Sequence, residues 1–135
     1  MAKRIEYSID KISDIKLNIK KWDIIFLKWD LAAWKTTFSQ HIINNLLWVK
    51  EYVNSPTYTY YNKYLDNIYH FDLYRLQNYD EFFAIWWEEI LDNNAWIILI
   101  EWPDIIEKYY KADIIINIEK TDINNEREIE IITKE

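Results

Sequence analysis

The sequence predicts one α/β domain in which helices cover both faces of a mixed β-sheet. Two continuous apolar runs, 23–27 and 96–100, are typical of buried strands. Apolar residues recur at helical spacing over 38–47 and again over 79–91. Strand and helix patterns alternate before a β-rich end, which predicts a three-layer sandwich. At 135 residues the chain is long enough for one core, so we expect a single domain over 1–135.

Shorter elements lie between these segments. Residues 57–64 are rich in threonine and tyrosine and are predicted to form a strand. Residues 68–74 are predicted to return as its hairpin partner, because Asp66-Asn67 is a turn signal. Pro103 suits the first turn of a short helix that ends at Tyr110.

The carboxyl-terminal part is predicted to be β-rich. Strands are expected over 112–119 and 127–133, joined by a loop over 121–126. No element is assigned before residue 23.

Composition and charge exclude several classes of protein. The net charge of −7 argues against a broad direct grip on nucleic acid, which needs a basic surface. Cysteine is absent, which excludes a disulfide framework and thiolate metal sites. No apolar run is long enough to span a membrane, and the first residues turn acidic before a signal peptide could form. We therefore expect a soluble cytoplasmic protein without membrane association.

The amino-acid usage conflicts with this fold in one respect. Glycine is absent, although its average usage is about 7%. Tryptophan occurs eight times. Tight turns and phosphate loops use glycine because it reaches positive φ without a steric penalty. An α/β domain with many turns and no glycine is therefore physically unusual.

The segment between the first strand and the first helix has the order of a phosphate-binding loop. Residues 29–36 follow the pattern G-x-x-x-x-G-K-[ST], with tryptophan at both glycine positions. In such a loop, backbone N–H groups and the helix N-terminus hold phosphates. Lys35 would then reach the β- and γ-phosphates, and the Thr36 hydroxyl would ligate Mg²⁺. Strand, lysine, threonine and helix often occur together by chance. Without the glycines, this spacing alone therefore does not favour a phosphate site.

Polar residues on two predicted strands are further candidates. Glu101 ends a buried strand, where it would hold Mg²⁺ through water or orient the attacking water. His70 and Asp72 are two residues apart, so they share one face of a strand and suit an edge that faces a nucleotide. Considered alone, a carboxylate such as Glu101 is more often an ordinary strand end. The polar face of His70 and Asp72 would, on the strand pattern alone, be interpreted as merely solvated. His41, in the first helix, is predicted to be a surface residue.

Four blocks of the sequence resemble, in the same order, the motifs of the TsaE family (also called YjeE). Residues 28–38 are similar to its G-D-L-G-A-G-K-T-T-F loop, and residues 54–59 to its S-P-T-Y-T segment. Residues 70–76 match its H-F-D-L-Y-R-L block, and residues 100–103 match its I-E-W-P block. The similarity extends from about residue 22 to the last strands, and four ordered blocks are highly specific.

The resemblance implies a P-loop NTPase-like fold, a three-layer sandwich with a mixed sheet. It also implies an ATP-binding and ATP-hydrolysing subunit in the synthesis of tRNA N6-threonylcarbamoyladenosine. The implied partners are TsaB and TsaD, and TsaD transfers the threonylcarbamoyl group to an adenosine beside the anticodon. The nucleotide cycle would drive or reset that complex, and tRNA would be reached only indirectly. The implied cofactors are ATP/ADP and Mg²⁺.

The resemblance also implies roles for individual residues. Lys35, Asp72 and Glu101 are implied to be catalytic, and Thr36 and Glu101 to hold Mg²⁺. Thr57 would sense the γ-phosphate. The residues implied to bind the nucleotide are Trp29, Asp30, Leu31, Ala32, Ala33, Trp34, Lys35, Thr36, Thr37, Thr57 and Arg127.

Most tryptophans fall where the TsaE family commonly has glycine, and only Trp102 is a tryptophan of the family itself. These positions are Trp22, Trp29, Trp34, Trp48, Trp86, Trp87 and Trp96, and Ala32 replaces a further glycine. We infer that these tryptophans stand for glycines. Our hypothesis is codon reassignment, because some bacterial lineages read UGA as glycine where another table writes tryptophan. The many Ile, Asn, Lys and Tyr residues fit an AT-rich genome that would favour such codons.

Two other functions stay open at this point. If the tryptophans are real, the indole of Trp34 would fill the phosphate cradle and Trp29 would strain its turn. The chain would then be a nucleotide-free scaffold that binds partners. A different small phosphate-loop enzyme, such as a kinase, is the third function, but no lid or acceptor-site motif supports it.

Overall fold

The computed structural model describes nine stretches of the chain. They are residues 2–8, 15–29, 38–51, 53, 61–65, 67–73, 78–89, 97–120 and 126–133.

The described residues contain seven strands, which form one sheet. The strands are β1 (Ala2–Ser8), β2 (Ile24–Trp29), β3 (Tyr61–Tyr64), β4 (Ile68–Asp72), β5 (Ile97–Glu101), β6 (Ile114–Lys120) and β7 (Glu126–Thr133). Their spatial order is β1-β7-β6-β2-β5-β4-β3. Strands β6, β2, β5 and β4 are mutually parallel, whereas β1, β7 and β3 pair antiparallel at the two sides. This confirms the predicted mixed sheet.

Helical segments lie on both faces of this sheet. A helical turn over 38–40 continues into a π-helix, His41–Leu46, and the helix α1 spans Tyr79–Glu89. A 3-10 helix, Pro103–Ile105, follows β5. It is followed by turns rather than by the longer helix that the sequence predicted, although Tyr110 N still donates to Ile106 O at 3.1 Å. Within the described residues, no helix is long and apolar enough to cross a membrane.

The first core cluster lies between the sheet and the helical segment 38–46. Leu27 of β2 and Leu99 of β5 point to this face and are fully buried. Phe38 and Ile42 pack on them from the helical side. The apolar positions predicted at helical spacing therefore cover one face of the sheet.

The second core cluster lies on the opposite face. Phe26 and Ile100 alternate with the residues of the first cluster, as expected for neighbouring positions in a strand. Phe82 of α1 packs on the Phe71 ring, with the ring centroids 5.5 Å apart. Two covered faces make the three layers that the sequence predicted.

The predicted hairpin is confirmed, whereas strand β1 was not predicted. Tyr64 pairs with Ile68 at the turn between β3 and β4. Strand β1, to which the sequence assigned no element, pairs antiparallel with β7 from Ala2 opposite Ile132 onward. Ile5 and Tyr7 alternate with Glu6 and Ser8, but this alternation is short, and the pairing with β7 defines the strand.

The prediction that His41 is a surface residue is wrong. Only 4% of His41 is exposed. Its Nε2 lies 2.7 Å from the carbonyl oxygen of Ile15, and its Nδ1 lies 3.0 Å from the amide nitrogen of Asn45. The segment that contains Ile15 covers this side of the helix, a contact that helical spacing alone does not reveal.

Three described tryptophans, Trp22, Trp48 and Trp102, lie at positive φ. Two of them, Trp22 and Trp48, do so at a turn position and a helix-end position that usually carry glycine. Trp22 has φ 79° and is the third residue of a turn closed by Asp23 N donating to Lys20 O at 3.1 Å. A φ near +80° at this position defines a type II turn, which usually carries glycine there. Trp48 has φ 60° and directly follows Leu47, the C-cap of the π-helix. Helices commonly end with a left-handed glycine at this position.

Both side chains lie mostly in solvent. Trp22 is 59% exposed and Trp48 is 81% exposed. A Cβ in the left-handed region costs about 1–2 kcal/mol. The backbone at both positions therefore supports the hypothesis that glycine stands there in the natural chain.

We predict that Trp48→Gly stabilises the chain, because it removes the Cβ from a left-handed position. The expected gain in the free energy of unfolding is about 1 kcal/mol. Urea unfolding followed by far-UV circular dichroism measures it without relying on tryptophan fluorescence. Trp48→Ala is the control, since it removes the indole but keeps the Cβ. An equal gain from Trp48→Ala would contradict the backbone explanation.

Candidate functional site

The predicted site residues on strands meet at one edge of the sheet. In the parallel register, Glu101 of β5 lies beside Leu27 of β2 on one side and Asp72 of β4 on the other. Strand β2 ends at Trp29, two positions beyond Leu27. Ligands of open α/β sheets bind outside the carboxyl ends of the parallel strands. This edge is therefore the candidate functional site.

Several predicted nucleotide-binding residues lie outside the described residues. They are Asp30, Leu31, Ala32, Ala33, Trp34, Lys35, Thr36, Thr37 and Thr57. The described chain on either side of 30–37 lies at the candidate site, because Trp29 ends β2 there and Ser39 contacts Glu101. The sequence position of the predicted phosphate loop is thus consistent with this edge.

The backbone of Arg127 lies at the same edge of the sheet. It pairs with Lys120 at the carboxyl end of β6, and β6 runs parallel to β2 with Ile118 opposite Trp29. Strands β6 and β7 lie on the side of β2 opposite to β5. The structure therefore places the Arg127 backbone at the predicted edge but two strands away from β2.

The carboxylate of Glu101 is fully buried and held by two side chains. Ser39 Oγ donates a hydrogen bond to Glu101 Oε2 at 3.1 Å. His70 Nε2 contacts the same oxygen, and His70 is itself fully buried. When Glu101 is ionised it only accepts, so His70 then donates to it from Nε2. Such donors offset the cost of burying a charge.

Asp72 and His70 share a strand face, as predicted. Phe71, between them, packs into the second core cluster, whereas His70 contacts Glu101 on the opposite face. Alternation along β4 places Asp72 on the side of His70, and Asp72 is half-buried. The Leu73 amide donates to the Glu101 carbonyl at 3.0 Å, which keeps the ends of β4 and β5 together.

The chain changes direction directly after Glu101. Trp102 has φ 57°, a left-handed conformation that is strained for a bulky side chain. Its N–H donates to the Leu27 carbonyl at 3.3 Å. Its side chain packs against both core clusters. Packing on both faces of the sheet holds this strained residue in place and fixes where β5 ends.

The donor set at this edge suits Mg²⁺. Carboxylate and hydroxyl oxygens are the hard ligands that Mg²⁺ takes, usually one or two carboxylates with phosphates and water. Glu101 and Asp72 are adjacent carboxylates. The described residues include no group of three or more His, Asp or Glu residues that could enclose a metal ion.

A cavity of about 460 Å³ opens at the opposite edge of the sheet. It is lined in part by Ile68 and Ile97, the first residues of β4 and β5. Trp48 and Leu65 lie at its rim, and both are mostly exposed. This cavity is at the amino ends of the parallel strands, away from Asp72 and Glu101, so we do not assign the nucleotide to it.

Sequence reasoning missed the contribution of Ser39 and the pairing of His70 with Glu101. Ser39 lies only three residues after Thr36 in the sequence. That spacing was the available signal for Ser39. No local pattern could connect His70 with Glu101, because 31 residues separate them.

The chain is similar to a known protein family and to a solved structure over most of its length. The family model described as "Threonylcarbamoyl adenosine biosynthesis protein TsaE" matches residues 5–129. A tRNA threonylcarbamoyladenosine biosynthesis protein TsaE of Rickettsia conorii is 38% identical over 120 residues, covering 86% of this chain and 67% of the relative. The TsaE protein of Bacillus subtilis is 32% identical over 113 residues, covering 82% and 69%.

The crystal structure of YdiB from Bacillus subtilis has the same architecture. It superposes with a TM-score of 0.61 at 25% identity, covering 98% of this chain and 87% of that one. This likeness and the mixed sheet confirm the predicted α/β P-loop NTPase-like fold. From the family match and the relatives, the chain belongs to the TsaE family of tRNA threonylcarbamoyladenosine biosynthesis proteins.

Proposed function

We propose that this chain is the ATP-binding and ATP-hydrolysing subunit of the machinery that makes tRNA N6-threonylcarbamoyladenosine. The observation that carries the proposal is the meeting of Glu101, Asp72 and the end of β2 at one edge of the sheet. The phosphate-loop pattern of 29–36 begins at that edge. Membership of the TsaE family supports the tRNA pathway.

The proposed roles follow from charge and position. Lys35 binds the β- and γ-phosphates, while Thr36 and Glu101 would hold Mg²⁺, which neutralises phosphate charge when bound. Asp72 orients the attacking water from the end of β4. Thr57 and Arg127 are proposed to contact the nucleotide from other parts of the chain. Since phosphoryl transfer depends on positioning and charge stabilisation, turnover is expected to be low until partners complete the site.

We propose glycine at positions 22, 29, 34, 48, 86, 87 and 96 of the natural chain. The left-handed backbone at Trp22 and Trp48 supports this for two of them. Glycine at positions 29 and 34 would give the phosphate loop the backbone freedom that it needs. The alternative rests on the sequence as written: a chain with indoles at 29 and 34 would be a partner-binding scaffold without nucleotide.

The proposed partners are TsaB and TsaD, and the proposed location is the cytoplasm. The net charge of −7 supports contact with tRNA only through this complex, since a direct grip on phosphates needs a basic surface. The nucleotide cycle is proposed to drive or reset the complex between turnovers.

We predict that the protein from its native source is lighter than the written sequence requires. Each glycine in place of a tryptophan removes one indole side chain, so the deficit is a multiple of a single step. Intact-mass spectrometry measures it, and the gene provides a check, because the affected codons should be UGA. A mass equal to that of the written sequence would favour the scaffold.

We predict that Lys35→Ala and Asp72→Ala each abolish ATP turnover in the chain with glycine at those seven positions. Loss of one charge-stabilising contact typically lowers turnover by at least about 100-fold. Phosphate release in the presence of TsaB and TsaD is the measurement. Lys108→Ala and Asp80→Ala are matched controls, because both side chains are exposed and lie outside the proposed site. Unchanged turnover in either test variant would refute its assignment.

A further inference from the structure

Buried polar side chains are concentrated at one carboxylate. The described residues include four buried polar or charged side chains: Ser39, His41, His70 and Glu101. Three of these meet at Glu101 Oε2. The neighbouring positions on this face, such as Leu27 and Leu99, are apolar and fully buried. Burying a polar cluster is costly unless its groups are paired. If these three positions served only to fill the core, leucine or isoleucine would do so at lower cost.

The two donors to Glu101 come from different elements. Ser39 is in the helical segment that follows residues 30–37, and His70 is in the middle of β4. Both reach the same oxygen, Oε2. Two donors fixed on separate elements restrict rotation of the carboxylate about its last bond. The direction of Oε1 is thereby set by the fold.

The two buried histidines differ in how their rings are satisfied. Both ring nitrogens of His41 have partners, the Ile15 carbonyl and the Asn45 side chain. His70 uses Nε2 for Glu101, and its buried Nδ1 has no hydrogen-bond partner among the described residues. A histidine kept only for packing would resemble His41, because buried polar atoms are normally paired. The contact that accounts for His70 is therefore the one to Glu101.

We propose that His70 and Ser39 are positioning residues that orient the Glu101 carboxylate for Mg²⁺. This inference rests on the proposed function, since it needs a nucleotide-bound metal ion at this edge. His70 and Ser39 do not touch the nucleotide or the metal; they act through Glu101. Residues of this kind typically contribute about 10- to 100-fold to metal affinity. Ser39 also links the carboxylate to the helical segment that follows the predicted phosphate loop.

The test compares ADP affinity with and without metal in the full chain carrying the seven glycines. Calorimetry gives the dissociation constant of ADP in EDTA and in Mg²⁺, and the ratio is the gain due to the metal. We expect His70→Leu to lower this gain by about 10-fold. If the gain of the unsubstituted chain is itself smaller than about 10-fold, we expect His70→Leu to abolish it. The ADP affinity in EDTA should not change. His70→Gln should keep most of the gain, because its amide N–H can donate to Glu101. Ser39→Ala should lower the gain by a smaller factor.

His41→Leu is the matched control, because it removes a buried histidine on the same side of the sheet. It should lower the unfolding temperature and leave the metal-dependent gain unchanged. An unchanged gain in His70→Leu overturns the inference, as does an equal loss in His41→Leu. If circular dichroism shows that His70→Leu does not fold, Ser39→Ala decides, and an unchanged gain there overturns the inference.

The chain with the seven glycines and no further substitution, the parent chain, separates this inference from the proposed function. If the parent binds ADP but gains nothing from Mg²⁺, the positioning role is refuted and nucleotide binding stands. If the parent binds no nucleotide in either buffer, the proposed function fails and the inference fails with it.

Discussion

The parallel pairing of β5 with β2 on one side and β4 on the other is the constraint on which the rest of the structure depends. These three strands are adjacent and lie inside the sheet, and their buried side chains contribute to both core clusters. The same register brings the end of β2, Glu101 and Asp72 to one edge. Since a one-residue slip would turn Glu101 to the other face, the core that fixes the register also fixes the site.

The transition from core to site occurs within a few residues of each strand. Along β5, Ile97 and Leu99 are apolar and Glu101 is the first polar side chain on their face. Along β4 the change begins one step earlier, at His70, after Ile68. The hydrogen bonds to Glu101 allow a carboxylate to follow directly on an apolar core, because its charge is shared with donors inside the protein.

The positive φ angles of Trp22 and Trp48 bear on whether the natural chain carries glycine at these positions. Both residues lie in ordinary surface features, a turn before β2 and the end of the π-helix. Both features place a residue at positive φ, where glycine is favoured for steric reasons. The conflict between a glycine-free composition and an α/β fold is therefore visible in the backbone itself. It would be removed if the natural chain carried glycine at these positions.

The sequence by itself determined the order of the main elements, because buried strands and amphipathic helices leave clear apolar periods. It predicted β2, the hairpin of β3 and β4, helix α1, β5 and the last two strands, together with the family and the shared face of His70 and Asp72.

The sequence did not determine β1, the burial of His41, or the contacts of Ser39 and His70 with Glu101. These depend on which segments meet in space. Strand β1 is defined by its pairing with β7, His41 by the segment that covers it, and Glu101 by donors from two distant elements. Only tertiary structure decides such contacts, because a side chain's period along the chain carries no record of the partner that packs against it.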